Sequence, residues 1–205
     1  MHEIELKFSL EDPALLQDRL GRLDFVLVSE AVNEDTYYDH PCRDFRVSGE
    51  ALRVRRENGV PCVTYKGAKS ASSGSGVQVK AREELEWRLD PGDADGSRME
   101  TLLQRLSFRA VATVRKKRLT YRTSGRTEPI LVTIDDVDGL GWYAEVETVL
   151  QDAEPSSVQI EAARDRVRQL AGELGLDRDE PRSYLRMHLE QAAGSPGDGS
   201  SNPAP

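Results

Sequence analysis

The chain has 205 residues and a formal net charge of −8, so it is long enough for one domain with a substantial core, and its acidity gives no reason to expect a nucleic-acid partner. No apolar run approaches the roughly 20 residues that cross a membrane, and the first residues lack the basic and apolar segments of a secretory signal, so we expect neither membrane insertion nor export. Cys42 and Cys62 match no metal-ligand spacing, which predicts two reduced thiols in a cytoplasmic protein.

The first predicted element is a strand over Glu3–Phe8, where charged and apolar residues alternate. Successive side chains of a strand point to opposite faces. Glu3, Glu5 and Lys7 therefore share one face, and the apolar residues share the other. Taken alone, such a strand is typical of a sheet edge with a solvated charged face.

Apolar residues at helical spacing predict helices between the strands, packed on the outside of the sheet. Asp12–Pro13 predicts the start of the first helix, with an N-cap followed by proline at the first helical position. The pattern Ser97–Glu100 predicts a capping box at the start of the second. A third helix is predicted over Ile160–Leu174, and a short fourth one after Pro181.

The charged alternation returns along the chain, so that nearly every predicted strand carries charge on one face. The segments are Leu52–Arg55, Arg82–Trp87, Val114–Arg118 and Glu145–Glu147. A sheet of this kind either leaves its charged face open or closes into a barrel whose charges line a tunnel. Closure explains why residues of both charges are dense on one face. The basic residues would hold a polyanion, and the carboxylates would hold the divalent cation that accompanies it.

Three segments show neither the alternation of a strand nor the apolar spacing of a helix. Residues 67–76 are rich in Ser, Gly and Ala and predict a flexible connection, and residues 91–96 predict a polar turn. Residues 191–205 are mostly small and polar and cannot bury enough surface to offset the entropy of ordering. We therefore expect a domain over residues 1–190 and a disordered tail over residues 191–205.

Six short motifs occur in one order along the chain and carry a resemblance to a known family. They are Glu3-x-Glu5-x-Lys7, Leu52–Arg55, Thr64–Gly67, Arg82-x-Glu84-x-Glu86, Val114-x-Lys116-x-Arg118 and a last block over Ile134–Glu147. This order resembles the CYTH, or triphosphate tunnel metalloenzyme, superfamily. The last block and Ser183–Leu185 are most similar to the class IV adenylate cyclase branch. The resemblance implies an α+β fold, with a closed antiparallel β-barrel (a tunnel) of about eight strands and helices packed outside.

Basic residues on the predicted inner face supply a candidate anion site. A triphosphate carries several negative charges near neutral pH and needs cationic partners in a desolvated tunnel. The candidates are Arg53, Arg55, Lys66, Arg82, Lys116 and Arg118, with Lys7 and Lys80 added by strand parity. For any one of them a salt bridge is a fair alternative, whereas for the whole set an anion site is favoured. Glu84 and Glu86 are expected to hold these cations in place.

Carboxylates on the same face suit hard divalent cations such as Mg²⁺ or Mn²⁺, which take oxygen ligands. The candidate metal ligands are Glu3, Glu5, Asp135, Glu145 and Glu147. The resemblance implies that Glu145 and Glu147 lead this set together with Asp135. It also implies Glu145, Glu147 and Lys7 as catalytic residues. So many like charges in one tunnel should raise some carboxylate pKa values.

Two reactions could use this lining. Attack of the ribose 3′-hydroxyl on the α-phosphorus of ATP gives cyclic AMP and pyrophosphate, whereas attack of water on the terminal phosphorus of a nucleotide, tripolyphosphate or thiamine triphosphate makes a triphosphatase. The resemblance favours the class IV adenylate cyclase type. A non-catalytic sensor that binds polyphosphate or a nucleotide is the alternative from another class, and the full set of carboxylates favours an enzyme over it. The expected partner is a small triphosphate, and a homodimer is left open.

Overall fold

The structure is a computed structural model that describes residues 2–68, 80–123, 130–152 and 154–194, with the side chain of Lys80 outside the described part. The strands are β1 His2–Leu10, β2 Phe25–Asp39, β3 Ala51–Glu57, β4 Val60–Lys66, β5 Lys80–Arg88, β6 Arg109–Thr123, β7 Leu131–Val137 and β8 Gly141–Leu150. The helices are α1 Pro13–Arg22, α2 Phe45–Ser48, α3 Ser97–Arg105, α4 Ser157–Glu173 and α5 Tyr184–Gly194. The strands close into an antiparallel barrel in the order β1-β5-β4-β3-β2-β6-β7-β8, which confirms the predicted fold class.

Closure of the barrel depends on β1, which pairs with β8 on one side and with β5 on the other. In these ladders Lys7 lies opposite Glu145, and Glu3 lies opposite Arg82. Directly opposed residues of an antiparallel pair share a face of the sheet. The register therefore brings the charged faces of neighbouring strands together inside the barrel.

The main apolar core lies outside the barrel, between its wall and the helices α1 and α4. Ile4, Ile134 and Val146 contribute to it from the strands, and Leu20 and Val167 contribute from the helices. All of them are fully buried. The period-two pattern thus sends the apolar residues outward to the helices and the charged residues inward.

The start of α1 follows the prediction. Asp12 accepts hydrogen bonds from the backbone N–H groups of Ala14 and Leu15, at 2.9 and 3.4 Å. Pro13 occupies the first helical position, where its missing N–H has no cost. None of the helices in the described ranges is long and apolar enough to cross a membrane.

The capping box predicted over Ser97–Glu100 is wrong. The N-cap of α3 is Gly96, at φ +77°, and no side chain caps it there. Asp93, in the preceding turn, instead accepts the N–H of Met99 at 2.8 Å. The glutamate of the motif accepts a hydrogen bond from Arg56 at 3.1 Å. An upstream aspartate thus takes the capping role, and the glutamate ties α3 to the barrel.

The predicted tail starts at Gln191, whereas α5 continues to Gly194. Composition alone is misleading here, because Ala192 and Ala193 are small but alanine is the strongest helix former. Gln191 also donates a hydrogen bond to the carbonyl of Gly139 at 3.1 Å, which anchors the last turn. Residues 195–205 lie outside the described part, and so do residues 69–76 of the predicted flexible connection.

Two elements, β2 and α2, coincide with neither a predicted element nor a motif of the sequence, whereas β4 and β7 are marked only by motifs. In the middle of β2, Asn33 and Asp35 are buried while Glu34 and Thr36 are partly exposed. Both faces are therefore polar, so the alternation that reveals β1, β3, β5, β6 and β8 gives no contrast here. The short α2 is set by Asp44, which accepts the N–H groups of the first turn.

Two of the three leucines of α1, Leu15 and Leu20, differ in burial and give a stability test. Leu20 is 0 % exposed and Leu15 is 48 % exposed. We expect Leu20→Ala to lower the free energy of unfolding by about 2 to 5 kcal/mol, because a buried leucine leaves a cavity. Leu15→Ala is the matched control and should cost less than about 1 kcal/mol. Urea denaturation followed by circular dichroism measures both, and equal losses would contradict this placement of the core.

Candidate active site

A cavity of about 690 Å³ lies in the barrel interior, and residues of α2 and α5 are also among those that line it. Of the residues predicted to form the site, those that line it are Glu3, Glu5, Lys7, Arg53, Arg55, Lys66, Arg82, Lys116, Arg118, Glu145 and Glu147. Lys80 begins β5 opposite Glu5, but the position of its side chain is outside the described part. Asp135 is fully buried behind the lining. The structure therefore brings together nearly all of the predicted set.

Three carboxylates form a compact group in this cavity. Glu3 and Glu5 from β1 and Glu147 from β8 each offer an oxygen, and these oxygens lie within 4.8 Å of one another. Glu5 and Glu147 are directly opposed in the register, which explains their approach. A cluster of oxygen donors at this spacing fits a hard divalent cation such as Mg²⁺.

Asp135 was predicted to join the metal ligands, and the structure does not place it with this group. Its Oδ1 accepts a hydrogen bond from Arg118 at 2.6 Å, and its Oδ2 accepts one from Lys116 at 2.9 Å. The hydroxyl of Tyr184 donates to the same Oδ2 at 2.9 Å. Both oxygens are thus engaged by the protein. Asp135 holds two cations of the lining, Lys116 and Arg118, in place instead of facing the cavity.

Glu145 has an intermediate position. Its side chain lines the cavity, but it accepts a hydrogen bond from Arg118 and lies 3.6 Å from the ammonium of Lys7. It is not part of the three-carboxylate group. Glu145 therefore balances the cations of the lining, and Lys7 lies beside it on the paired strand.

Asp35 is a charged residue of the barrel interior that the sequence prediction missed. It accepts hydrogen bonds from Arg55 at 2.6 and 2.7 Å and from Arg53 at 3.3 Å. Burial favours its protonated form, but the two guanidinium groups outweigh burial and hold the pKa of Asp35 well below its usual range. Arg53 and Arg55 are therefore oriented by a fixed internal counter-ion.

The remaining cations are held in a similar way. Lys66 donates to Glu3 at 2.5 Å and lies 3.2 Å from Glu84, as predicted for Glu84. Arg82 lies 3.9 Å from Glu3. Glu86 was expected to hold a basic residue, but it accepts a hydrogen bond from Thr64 at 2.9 Å. The strand register explains this difference, because Glu86 is opposite Thr64.

Tyr184, which the sequence presents only as part of a helical stripe and a short motif, stands next to the cations. The ammonium of Lys7 lies 3.9 Å from the centre of its ring, and that of Lys116 lies 5.0 Å from it. Such contacts are favourable, because the ring face is electronegative. Burial and the neighbouring Glu145 raise the pKa of the Tyr184 hydroxyl well above its usual range, so it remains a hydrogen-bond donor.

The pKa values of the two carboxylates of β8, Glu145 and Glu147, are shifted in opposite directions. Burial, together with Glu3, raises the pKa of Glu147 to about 8. Burial acts in the same direction on Glu145, but Arg118 and the other cations around it lower its pKa to about 2. At neutral pH these shifts favour the ionised form of Glu145 and the protonated form of Glu147.

The structure is an eight-stranded closed barrel with cations and grouped carboxylates inside, a lining that is complementary in charge to a polyanion and a divalent cation. The CYTH domain model matches residues 1–184, so the chain belongs to the CYTH domain family. A protein of Methanocaldococcus jannaschii named “Putative adenylate cyclase” is 32 % identical over 187 residues, which cover 91 % of this chain and 98 % of that protein.

Solved structures show the same fold. The PH1819 protein of Pyrococcus horikoshii superposes with a TM-score of 0.75 at 33 % identity, covering 92 % of this chain and 99 % of that one. A protein of Hippeastrum, HpAC1, superposes with a TM-score of 0.61 at 20 % identity, covering 92 % of this chain and 96 % of that one. Its structure is described as that of a putative adenylyl cyclase with a dominant triphosphatase activity.

The role of Asp135 as an internal counter-ion can be tested by removing its charge. Asp135→Asn leaves Lys116 and Arg118 without their main partner, and we expect the free energy of unfolding of the ligand-free protein to fall by about 3 to 5 kcal/mol. Tripolyphosphate should raise the melting temperature more in this variant than in the wild type, because it replaces the missing negative charge.

Asp136→Asn, on the outward face of the same strand, is the matched control for this test. It should change the free energy of unfolding by less than about 1 kcal/mol. Chemical denaturation and thermal melts with and without tripolyphosphate measure these effects. If Asp135→Asn were as stable as the control, Asp135 would not be the main counter-ion of Lys116 and Arg118.

The raised pKa of Glu147 predicts a pH-dependent stability. Its pKa is about 8 in the folded protein against an ordinary value of 4.5, so the folded state holds this proton more tightly than the unfolded state does. The stabilising contribution is complete below the unfolded pKa and is lost as the pH rises towards the folded pKa. We expect the melting temperature of the metal-free protein to fall across this window, and Glu147→Gln to flatten the fall. A slope that is identical in both proteins would contradict the assignment.

Proposed function

We propose that the protein is a metal-dependent phosphoryl-transfer enzyme that converts ATP to cyclic AMP and pyrophosphate. The observation that carries this proposal is the shared lining of one cavity, in which basic residues from several strands surround a group of three carboxylates. A barrel without a ligand would gain nothing from this arrangement, since buried charge is costly. A triphosphate with a divalent cation matches both signs.

The cations would bind and orient the phosphate groups. The arginines Arg53, Arg55 and Arg118 present planar forks suited to bidentate phosphate contacts, and Lys66 and Lys116 act as compact point charges. Their counter-ions Asp35 and Asp135 fix their positions before a ligand arrives. Binding therefore requires little reorganisation, which favours stabilisation of charge in the transition state.

Glu3, Glu5 and Glu147 would hold Mg²⁺ or Mn²⁺, which when bound polarises phosphoryl oxygens. Lys7 provides positive charge beside Glu145 on the same side of the cavity. In the cyclase reaction a bond forms between the ribose 3′-oxygen and the α-phosphorus, the bond to the leaving pyrophosphate breaks, and the 3′-hydroxyl proton is released to solvent. The basic lining balances the charge that develops on pyrophosphate.

A triphosphatase is the second candidate. The same cations would bind a triphosphate whose terminal phosphorus is attacked by water, and the activity described for the Hippeastrum protein of the same fold supports this option. Incubation of the purified protein with ATP, tripolyphosphate and thiamine triphosphate, each with Mg²⁺ and with Mn²⁺, separates the two. Cyclic AMP with pyrophosphate identifies a cyclase, and orthophosphate identifies a triphosphatase. Failure to consume any of these compounds would refute the proposed function and favour a binding protein.

Activity should depend on the three-carboxylate group. We expect chelation of divalent cations to abolish turnover and metal to restore it. Glu5→Gln and Glu147→Gln should each lower kcat/KM by about 100-fold or more, since even the outer partners of metal sites are worth about 10- to 100-fold. Glu83→Gln removes an exposed glutamate from the outer face of β5 and is the matched control. Near-normal turnover by both buried-site variants would show that the metal is bound elsewhere.

A further inference from the structure

The cavity has an apolar part that the phosphate-binding scheme does not use. On α5, Leu185, Leu189 and Ala193 recur every fourth residue, so they lie on one face of the helix, and all three line the cavity. A different face of α5 carries Tyr184 and Met187, which pack into the barrel wall. The helix therefore packs on the barrel through Tyr184 and Met187 and offers three apolar side chains to the cavity, beside Arg186 and Glu190, which line it too.

The segment from α2 to the start of β3 also contributes apolar side chains to the cavity, next to Arg46 and Glu50, which line it too. Phe45 of α2 and Ala51 and Leu52 of β3 line the same cavity. This segment is held firmly, because the carboxylate of Glu50 accepts hydrogen bonds from Ser48 at 2.7 Å and from the Tyr65 hydroxyl at 2.5 Å. We call the set Phe45, Ala51, Leu52, Leu185, Leu189 and Ala193 the collar.

The collar directly adjoins the cationic lining. Leu52 precedes Arg53 in the chain, and Ala51 is opposite Lys66 in the sheet. Leu185 follows Tyr184, whose ring contacts the ammonium of Lys7. A ligand held by these cations would therefore have its nearest uncharged end at the collar.

The occupant of the collar follows from its chemistry. Phosphate groups gain nothing from desolvation against leucine and phenylalanine side chains, whereas a flat organic group does. The whole cavity, at about 690 Å³, is in the size range that encloses a complete drug-sized ligand. We propose that the collar is a specificity subsite for the base and sugar of a nucleoside triphosphate, so that the enzyme selects nucleotides over inorganic tripolyphosphate. This inference rests on the proposed function for the placement of the triphosphate.

Binding measurements on the intact protein test the subsite without requiring turnover. Isothermal titration with Mg²⁺ compares a non-hydrolysable ATP analogue with tripolyphosphate. We expect the ATP analogue to bind at least about tenfold more tightly, although tripolyphosphate carries the greater charge, because apolar contacts typically discriminate by about 10- to 200-fold. Equal affinity, or tighter binding of tripolyphosphate, would overturn the proposal.

Variants of the collar locate the effect. Leu189→Asn and the double variant Leu185→Ala/Leu189→Ala should each lower the ratio of the two affinities by about tenfold. Val47 is also on α2 but is 84 % exposed, so Val47→Ala should leave the ratio of the two affinities unchanged. Thermal melts verify that each variant is folded, and a ratio unchanged in folded variants refutes the collar. If the ratio behaves as expected but neither compound is turned over, the proposed function fails while the subsite stands.

Discussion

The pairing of opposite charges inside a closed barrel is the constraint on which the rest of the structure depends. A charge removed from water costs several kcal/mol unless a partner and further hydrogen bonds replace the lost solvation. The strand register supplies these partners, for it sets Arg55 opposite Asp35 and Arg118 opposite Asp135. Each aspartate then receives more than one donor. The cations are therefore arranged by the barrel before any ligand binds.

This arrangement divides the interior carboxylates into two kinds. Asp35, Asp135 and Glu145 serve the cations and stay ionised, because the surrounding positive charge outweighs their burial. Glu147, close to Glu3 and Glu5, has too little positive charge around it and is protonated more readily. The carboxylates of the first kind fix the positions of the cations. The second kind is left with an electrostatic strain that a divalent cation would relieve, which is why we place the metal there.

The barrel and most of its lining could be predicted because one rule, alternation of charged and apolar residues, applies to β1, β3, β5, β6 and β8. The rule identifies which residues point inward, but it does not show which inward charges contact one another. The family resemblance put Asp135 among the leading metal ligands, whereas the register places it against Arg118. Asp35 was missed because β2 is polar on both of its faces. Tyr184 was missed because its role depends on where α5 docks, which is a tertiary property.

The same closure has a consequence for how the chain acquires its structure. The barrel is completed by β1 and β8, whose residues His2–Leu10 and Gly141–Leu150 are far apart in the chain. Pairings between such distant segments are slow to form, because the entropy of closing a long loop is lost before any stabilising contact is made. During synthesis, the edge of β1 that pairs with β8 therefore stays unpaired until β8 is made. An exposed strand edge of this kind can pair with other chains. The charged residues Glu3, Glu5 and Lys7 on this strand make such mispairing unfavourable. The side chains that we assign to the chemistry would thus also protect the nascent protein from aggregation.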